Sequence, residues 1–197
     1  MAIFMKHLLP IFIFTSFLSC NGQGSTKLLH FPQIGWTLSF PENSELLGWQ
    51  QIDSFQNATA NKINSRDYIF TTQEVLFLIK RDKNNFFGST ITPFDSSIFK
   101  NWESSYSHAK QTVLDIIKSK KSTVTLVDTA TSTESIDGVT FQRFFARTKY
   151  PNQQVIRETY WYYRENKGVE FSINISFTDS AIGNKYLSVL RESKFDK

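Results

Sequence analysis

The chain has 197 residues, with 22 Lys and Arg against 18 Asp and Glu, giving a net charge of +4. That length suits one domain with a sizeable core, and so modest a charge, spread along the chain, argues against a nucleic-acid-binding face, which is usually strongly basic. A single cysteine excludes an intrachain disulfide framework, so stability must come from packing, for which 19 Phe, 7 Tyr and 4 Trp supply large areas.

The chain opens on a short positive stretch, Met1 to Lys6, followed by the apolar run Leu8 to Leu18. That run is shorter than the roughly 20 residues a membrane-spanning helix needs and has the length of the apolar region of a secretory leader. Ser19 then precedes Cys20, the only cysteine. Phe17-Leu18-Ser19-Cys20 resembles a bacterial lipobox, where a leader is cut before a cysteine whose thiol carries a diacylglycerol. A typical lipobox has Leu where Phe17 stands and a small residue where Leu18 stands. The plainer alternative is an ordinary secretory leader with an incidental cysteine. The expectation is a lipoprotein leader over residues 1–19 and lipidation at Cys20. Cutting there removes Lys6 and no acid, which takes the net charge from +4 to +3. Residues 20–33 are expected to be the lipidated cysteine and a flexible tether, because Asn21 to Thr26 is small and polar with two glycines. A single domain is expected over 34–197. The absence of an acidic tag after Cys20 favours a periplasmic face.

Trp36 to Phe40 alternates apolar and polar and stops at Pro41, which predicts a short strand. Leu46, Trp49, Ile52, Phe55, Thr59 and Ile63 recur at three- and four-residue spacing. This predicts an amphipathic helix from about Ser44 to Ile63, weakened at its start by Gly48. Tyr68 to Lys80 reads as one long strand or a strand pair ending in the polar turn Arg81 to Asn85. Gly88 to Thr92 is another strand, stopped by Pro93. A central helix follows, capped by Asp95, Ser96 or Ser97. Its apolar stripe is Ile98, Trp102, Tyr106 (or Ser105), Ala109, Val113 and Ile116 or Ile117. Lys118, Lys120 and Lys121 crowd its end, where they suit the helix dipole.

The second half is mostly sheet. Thr123 to Asp128 is β-prone. Asp137-Gly138 is a hairpin signal, because both central positions of a type I′ turn need positive φ. Gly138 to Lys149 and Val155 to Arg164 are strands joined through Tyr150 to Gln153, and Asn166-Lys167-Gly168 makes the next turn. Val169, Phe171, Ile173, Ile175 and Phe177 then alternate with polar residues, the pattern of a strand with one core face. A last helix starts near Asp179 and presents Ile182, Tyr186, Val189 and Leu190, with Phe195 packing back. The order of elements is α+β in character.

These features together resemble the Mog1/PsbP-like superfamily. The likeness rests on the aromatic strand running into proline (Gly35 to Pro41), the central helix leading to a strand and the small turn before a meander (Asp137 to Phe141), and a final helix with a serine-aromatic tail (Leu190 to Phe195). It covers about Gly35 to Phe195. The resemblance implies an α/β/α sandwich with a central, mostly antiparallel twisted sheet flanked by helices. It also implies a bacterial lipoprotein related to DcrB, acting as a protein binder or as an accessory in a membrane assembly. The superfamily shares no catalytic constellation, so no site residue is carried over.

The residues themselves give little chemistry. Beyond the leader there are two histidines, His30 and His108. His108 flanks the central helix seven residues before Asp115, so the two can share a face, although a solvated helix flank explains them as well. Neither histidine belongs to a metal-binding spacing, and no glycine-rich phosphate loop is present. Neither a metal nor a cofactor is therefore expected. Glu158, Glu165 and Glu170 are expected to form cross-strand ion pairs with Arg143, Arg147, Arg157 and Arg164. Asp128-Thr129-Ala130 and Asp179-Ser180-Ala181 resemble a bacterial O-glycosylation sequon, for which chance and helix capping are simpler explanations.

The best sequence-level binding surface is aromatic. Tyr160, Trp161, Tyr162 and Tyr163 place rings on both faces of one strand, and Phe86 and Phe87 offer a second patch. Sequence leaves open whether these rings are core or exposed surface. The functional expectation is a non-catalytic, lipid-anchored bacterial envelope protein, held on the membrane by its lipid and binding a protein partner. The alternative is a small-ligand or lipid-binding lipoprotein with a pocket between sheet and helix.

Overall fold

The computed structural model describes residues 26–41, 45–47, 74–119, 124–150 and 155–196. The leader, Cys20, residues 20–25 of the expected tether and residues 48–63 of the expected first helix lie outside these. The elements run β1 (Thr26–Phe31), β2 (Trp36–Pro41), β3 (Glu74–Lys80), β4 (Phe86–Pro93), α1 (Trp102–Ser119), β5 (Thr125–Ile136), β6 (Val139–Tyr150), β7 (Val155–Asn166), β8 (Val169–Phe177), α2 (Ser180–Glu192) and β9 (Lys194–Phe195). Six strands form one sheet in the order β3-β4-β8-β7-β6-β5, and a second sheet has the order β1-β2-β9. Each pairing is antiparallel. The small sheet and α2 cover one face of the large sheet, and α1 covers the other. This is the expected α+β arrangement, with helices on both faces of an antiparallel sheet.

Turn chemistry sets the register of the meander. Asp137 and Gly138 have φ of 49° and 84°, and Lys167 and Gly168 have 55° and 80°. Two consecutive left-handed residues match the twist of the flanking strands, and glycine takes the second position without strain. Asp137 has a further role: its carboxylate accepts from Lys194 Nζ at 3.1 Å and from the Phe195 backbone N–H at 2.9 Å. The hairpin turn thereby fixes β9, which in turn pairs with β2.

The face under α2 is an aromatic core. Trp36, Phe87, Phe141, Tyr162 and Phe171 are fully buried in it. Trp36 meets Phe171 edge-on at 4.9 Å between ring centroids and stacks on Phe195 at 6.1 Å. Its indole N–H donates to Ser193 Oγ at 2.9 Å, and Ser193 Oγ donates to the Leu190 carbonyl at 2.7 Å, so the buried polar atoms are paired. α2 is capped by Asp179, whose Oδ1 accepts from the N–H of Ala181 and Ile182 at 2.9 and 3.3 Å. Capping is thus what the second sequon-like triplet does here.

Several expectations need correction. β1, at residues 26–31, lies inside the expected 20–33 tether and instead pairs along its whole length with β2. Residues 45–47 of the expected first helix are not helical: Leu46 bridges Ile79, and Leu47 N–H donates to the Leu78 carbonyl at 2.9 Å. α1 is capped by Asn101 rather than by Asp95, Ser96 or Ser97. Asn101 Oδ1 accepts from Ser104 N–H at 2.9 Å, and Ser104 Oγ lies 3.3 Å from the Asn101 N–H, a reciprocal arrangement that satisfies two free donors. Asp95 instead closes one isolated turn, accepting from Ser97 N–H and Oγ. On α1 the packed residues are Trp102, Ser105, Tyr106, Ala109 and Leu114, while Val113 on the helix and Ile98 ahead of it are exposed.

Candidate functional site

Strand pairing explains where the aromatic strand points. Side chains alternate across β7, so Tyr160 and Tyr162 face α2 while Trp161 and Tyr163 face α1. Both faces are covered, and Trp161, Tyr162 and Tyr163 are buried. Trp161 N–H donates to Ser172 Oγ at 2.5 Å, and the Tyr163 and Ser105 hydroxyls are 3.1 Å apart. Phe87 is fully buried against Phe40, Phe77 and Tyr186. These four of the six candidate aromatics are core. Phe86 is half-buried beside Val75, Leu78 and Leu47. Tyr160 is half-buried among further rings and arginines.

Tyr160 sits where the cover provided by α2 ends. It stacks on Phe177 at 5.9 Å, meets Phe145 across the ladder at 5.0 Å, and has the Arg143 guanidinium 5.9 Å from its centroid. Register places the neighbours: Phe145 lies opposite Tyr160, Arg147 opposite Glu158 and Arg143 opposite Tyr162. The Arg147 guanidinium lies 5.6 Å from the Phe145 ring centre and donates to Glu158 at 2.8 Å. The result is one half-buried surface in which arginines and rings alternate.

Glu134 anchors this surface. Its Oε2 accepts from Arg143 at 3.0 Å and from the Tyr162 hydroxyl at 3.0 Å, and its Oε1 accepts from Arg191 Nε of α2 at 2.8 Å. Burial works to raise the Glu134 pKa, but the hydrogen bonds from Arg191, Tyr162 and Arg143, together with the Arg191 charge, outweigh it and hold the carboxyl below its ordinary value. Burial, then the adjacent Glu134 charge, push the Tyr162 hydroxyl far up. Tyr160 is raised by burial and by Glu158. Arg191 is held more firmly protonated by its hydrogen bond to Glu134. Both Glu134 oxygens are occupied, so this carboxylate fixes geometry. What the surface offers outward is the arginines of positions 147 and 191 and the edges of Phe145 and Tyr160. Arginine and aromatic residues are the types enriched at protein interfaces.

Of the expected carboxylate–arginine pairs, Arg147–Glu158 forms. Arg143 pairs with Glu134, which sequence reasoning missed. Arg157 donates to Asn84 Oδ1 at 2.6 Å and lies over the Tyr150 ring, and Arg164 donates to the Glu165 carbonyl and lies over Phe141. Glu165 accepts from Gly168 N–H inside the turn, and Glu170 adjoins Tyr163. Glu134 and Arg191 are 57 residues apart, and no local signal links them.

His30 bonds Thr37 within the small sheet, while His108 lies beside Phe99 on α1, across the large sheet. Asp115 accepts from Gln111. The histidines therefore share no site. Among the described residues no cluster of His, Cys, Asp and Glu is placed to hold a metal, and no helix is long and apolar enough to cross a membrane. The alternative expectation was a ligand pocket between sheet and helix, and at one point between α2 and the sheet the packing is tight. Gly183 backs onto the Phe177 ring so closely that a Cβ would overlap it.

No family model matches the chain, and no curated protein matches it. Among solved structures, the chain is similar to the solution structure of cyanobacterial PsbP from Synechocystis, with a TM-score of 0.55 and 12% identity over 90% of this chain and 98% of that one. At this identity the likeness shows a PsbP-like fold and nothing further.

Proposed function

We propose that this is a non-catalytic, lipid-anchored bacterial envelope protein, related to the DcrB lipoproteins and facing the periplasm, that binds a partner protein or serves a membrane complex. The observation that carries the binding part of this reading is the arginine–aromatic surface around Tyr160, Phe145, Arg147 and Arg191. Its cations are held by Glu134, which binds Arg143 and Arg191, and by Glu158, which binds Arg147, and it combines rigid rings with cationic groups. The anchoring part is supported by the apolar leader ending at Cys20, and the accessory role by the PsbP-like fold of a domain that follows closely behind the leader.

Crosslinking in intact membranes followed by pull-down tests both parts. The native chain is expected in the membrane fraction with one specific protein crosslinked to it, and Cys20→Ala is expected to lose both. Arg147→Ala with Tyr160→Ala should keep the membrane location and lose the crosslinked protein. A soluble native chain overturns the anchor; a crosslinked protein retained by the surface variant overturns the assigned surface.

A further inference from the structure

The two edges of the large sheet are treated differently. β3, at one edge, is covered in part by Leu46 and Leu47, which bridge Ile79 and bond Leu78. β5, at the other edge, is 12 residues long and pairs with β6 alone among the described strands. Proteins usually blunt such an edge with Lys, Pro, a bulge or a short length. β5 contains no Lys, Arg or Pro, and its one irregularity lies near its start, between Leu126 and Asp128. Between the bulge and the turn it reads Thr129-Ala130-Thr131-Ser132-Thr133-Glu134-Ser135, rich in β-branched residues that favour strands.

The two-residue turn fixes which backbone groups point outward. Ile136 and Val139 flank it and form a hydrogen-bonded pair. Antiparallel pairs alternate between bonded and non-bonded, so Glu134, Ser132 and Ala130 bond β6. Ser135, Thr133, Thr131 and Thr129 then direct their N–H and C=O groups away from the sheet. All four are exposed.

We propose that β5 is a self-association edge, pairing antiparallel with β5 of a second copy about a two-fold axis at Ser132. This register sets Thr131 against Thr133 and Thr129 against Ser135 of the other copy, so each outward-facing residue meets another Thr or Ser in a bonded pair. On the opposite face Ala130 meets Glu134 and Asp128 meets Ile136, so no acid faces an acid. A shift of the axis to Thr131 would place Asp128 directly against Glu134, which like-charge repulsion disfavours, and would draw the bulge into the ladder. Glu134 is already neutralised by Arg143 and Arg191, so the central part of the strand carries no uncompensated charge. A contact made by one strand per copy belongs to the small, transient class below about 1,200 Å², and the pair is expected to dissociate on dilution.

The axis itself supplies the test. Ser132 would face its own symmetry mate in a non-bonded pair, with Cα atoms about 4.5 Å apart, inside the range of about 4.4–6.8 Å that a disulfide spans. In the full chain carrying Cys20→Ser, Ser132→Cys is expected to form a covalent dimer on mild oxidation. Thr133→Cys, offset from its mate, is expected to yield none. Adding Thr133→Pro to Ser132→Cys is expected to abolish the crosslink while keeping the fold, because the lost N–H points away from β6. Thr131→Lys with Thr133→Lys leaves the backbone unchanged, opposes like charges across the axis and is expected to abolish it too. Equal crosslinking at 132 and 133, or a Ser132→Cys dimer insensitive to both changes, overturns the proposal. So does a Ser132→Cys chain that crosslinks only to a different protein, which would assign the edge to another protein's strand.

Discussion

The two faces of the large sheet are closed in different ways. Under α2 and the small sheet, rings meet rings with few polar atoms, and β1, β2 and β9 bring both ends of the domain onto one core. Under α1 the layer is thinner, and two of its buried rings, Trp161 and Tyr163, are held by polar handles to Ser172 and Ser105. Polar handles hold buried rings on both faces, and what sets the first face apart is its larger and more fully buried cluster of rings. The largest expected effect is therefore on the first face. Phe171 is fully buried and contacts Trp36, Phe141 and Phe195. Phe171→Ala is expected to cost about 3–5 kcal/mol in denaturant unfolding, with loss of the native near-ultraviolet signal of the tryptophans. A cost on the second face as large as this would erase the distinction. There, Tyr163→Phe keeps the ring and leaves the buried Ser105 hydroxyl without its partner, and is expected to cost about 1–2 kcal/mol.

The network at the rim of the first face separates charge from packing. Glu134 has a pKa below its ordinary value, so in the folded state it holds its charge to lower pH than in the unfolded chain. Its contribution to stability is complete above the unfolded value of about 4.3 and is lost as pH falls through the lower folded value. Glu134→Gln is expected to be less stable than the native chain by about 1–2 kcal/mol near neutral pH, since Gln cannot serve two arginines and a tyrosine. The gap should close as the pH is taken below about 4. Melting curves of both chains between neutral and acid pH check this, and a gap that is constant with pH would show that shape rather than charge is what Gln disturbs.

Legibility in the sequence followed the range of the interactions. Turns and caps held by a few adjacent residues can be read: Asp137-Gly138 takes the predicted positive-φ conformation, a turn falls at Lys167-Gly168 as predicted, and Asp179 caps α2. The cap of α1 was misplaced because Asp95 is an equally good local signal that the chain uses for a separate turn. The period of β7 could be read, but its exposure could not. Alternation says that rings lie on both faces, and only the tertiary cover provided by α1 and α2 decides that Trp161, Tyr162 and Tyr163 are core. β1 reads as tether because its pairing partner, β2, and not its own composition, makes it a strand. Glu134 and Arg191 come together only when β5 and the end of α2 pack on one rim, and nothing near either residue announces the other.

The smallest expected change in stability carries the most information about function. Arg147 is two-fifths exposed, and its partner Glu158 is also partly open to solvent, so Arg147→Ala is expected to cost no more than about 0.5 kcal/mol. The side chain makes one ion pair, with Glu158, and its guanidinium lies 5.6 Å from the Phe145 ring centre. Residues kept rigid by their neighbours but contributing little to folding are suited to contact another molecule, because binding through them costs little ordering entropy. If Arg147→Ala melts with the native chain and loses its partner in membranes, the rim is a binding surface separable from the core. If it melts several degrees lower, Arg147 belongs with Glu134 in holding α2 to the sheet, and the rim is an extension of the first face rather than a surface in its own right.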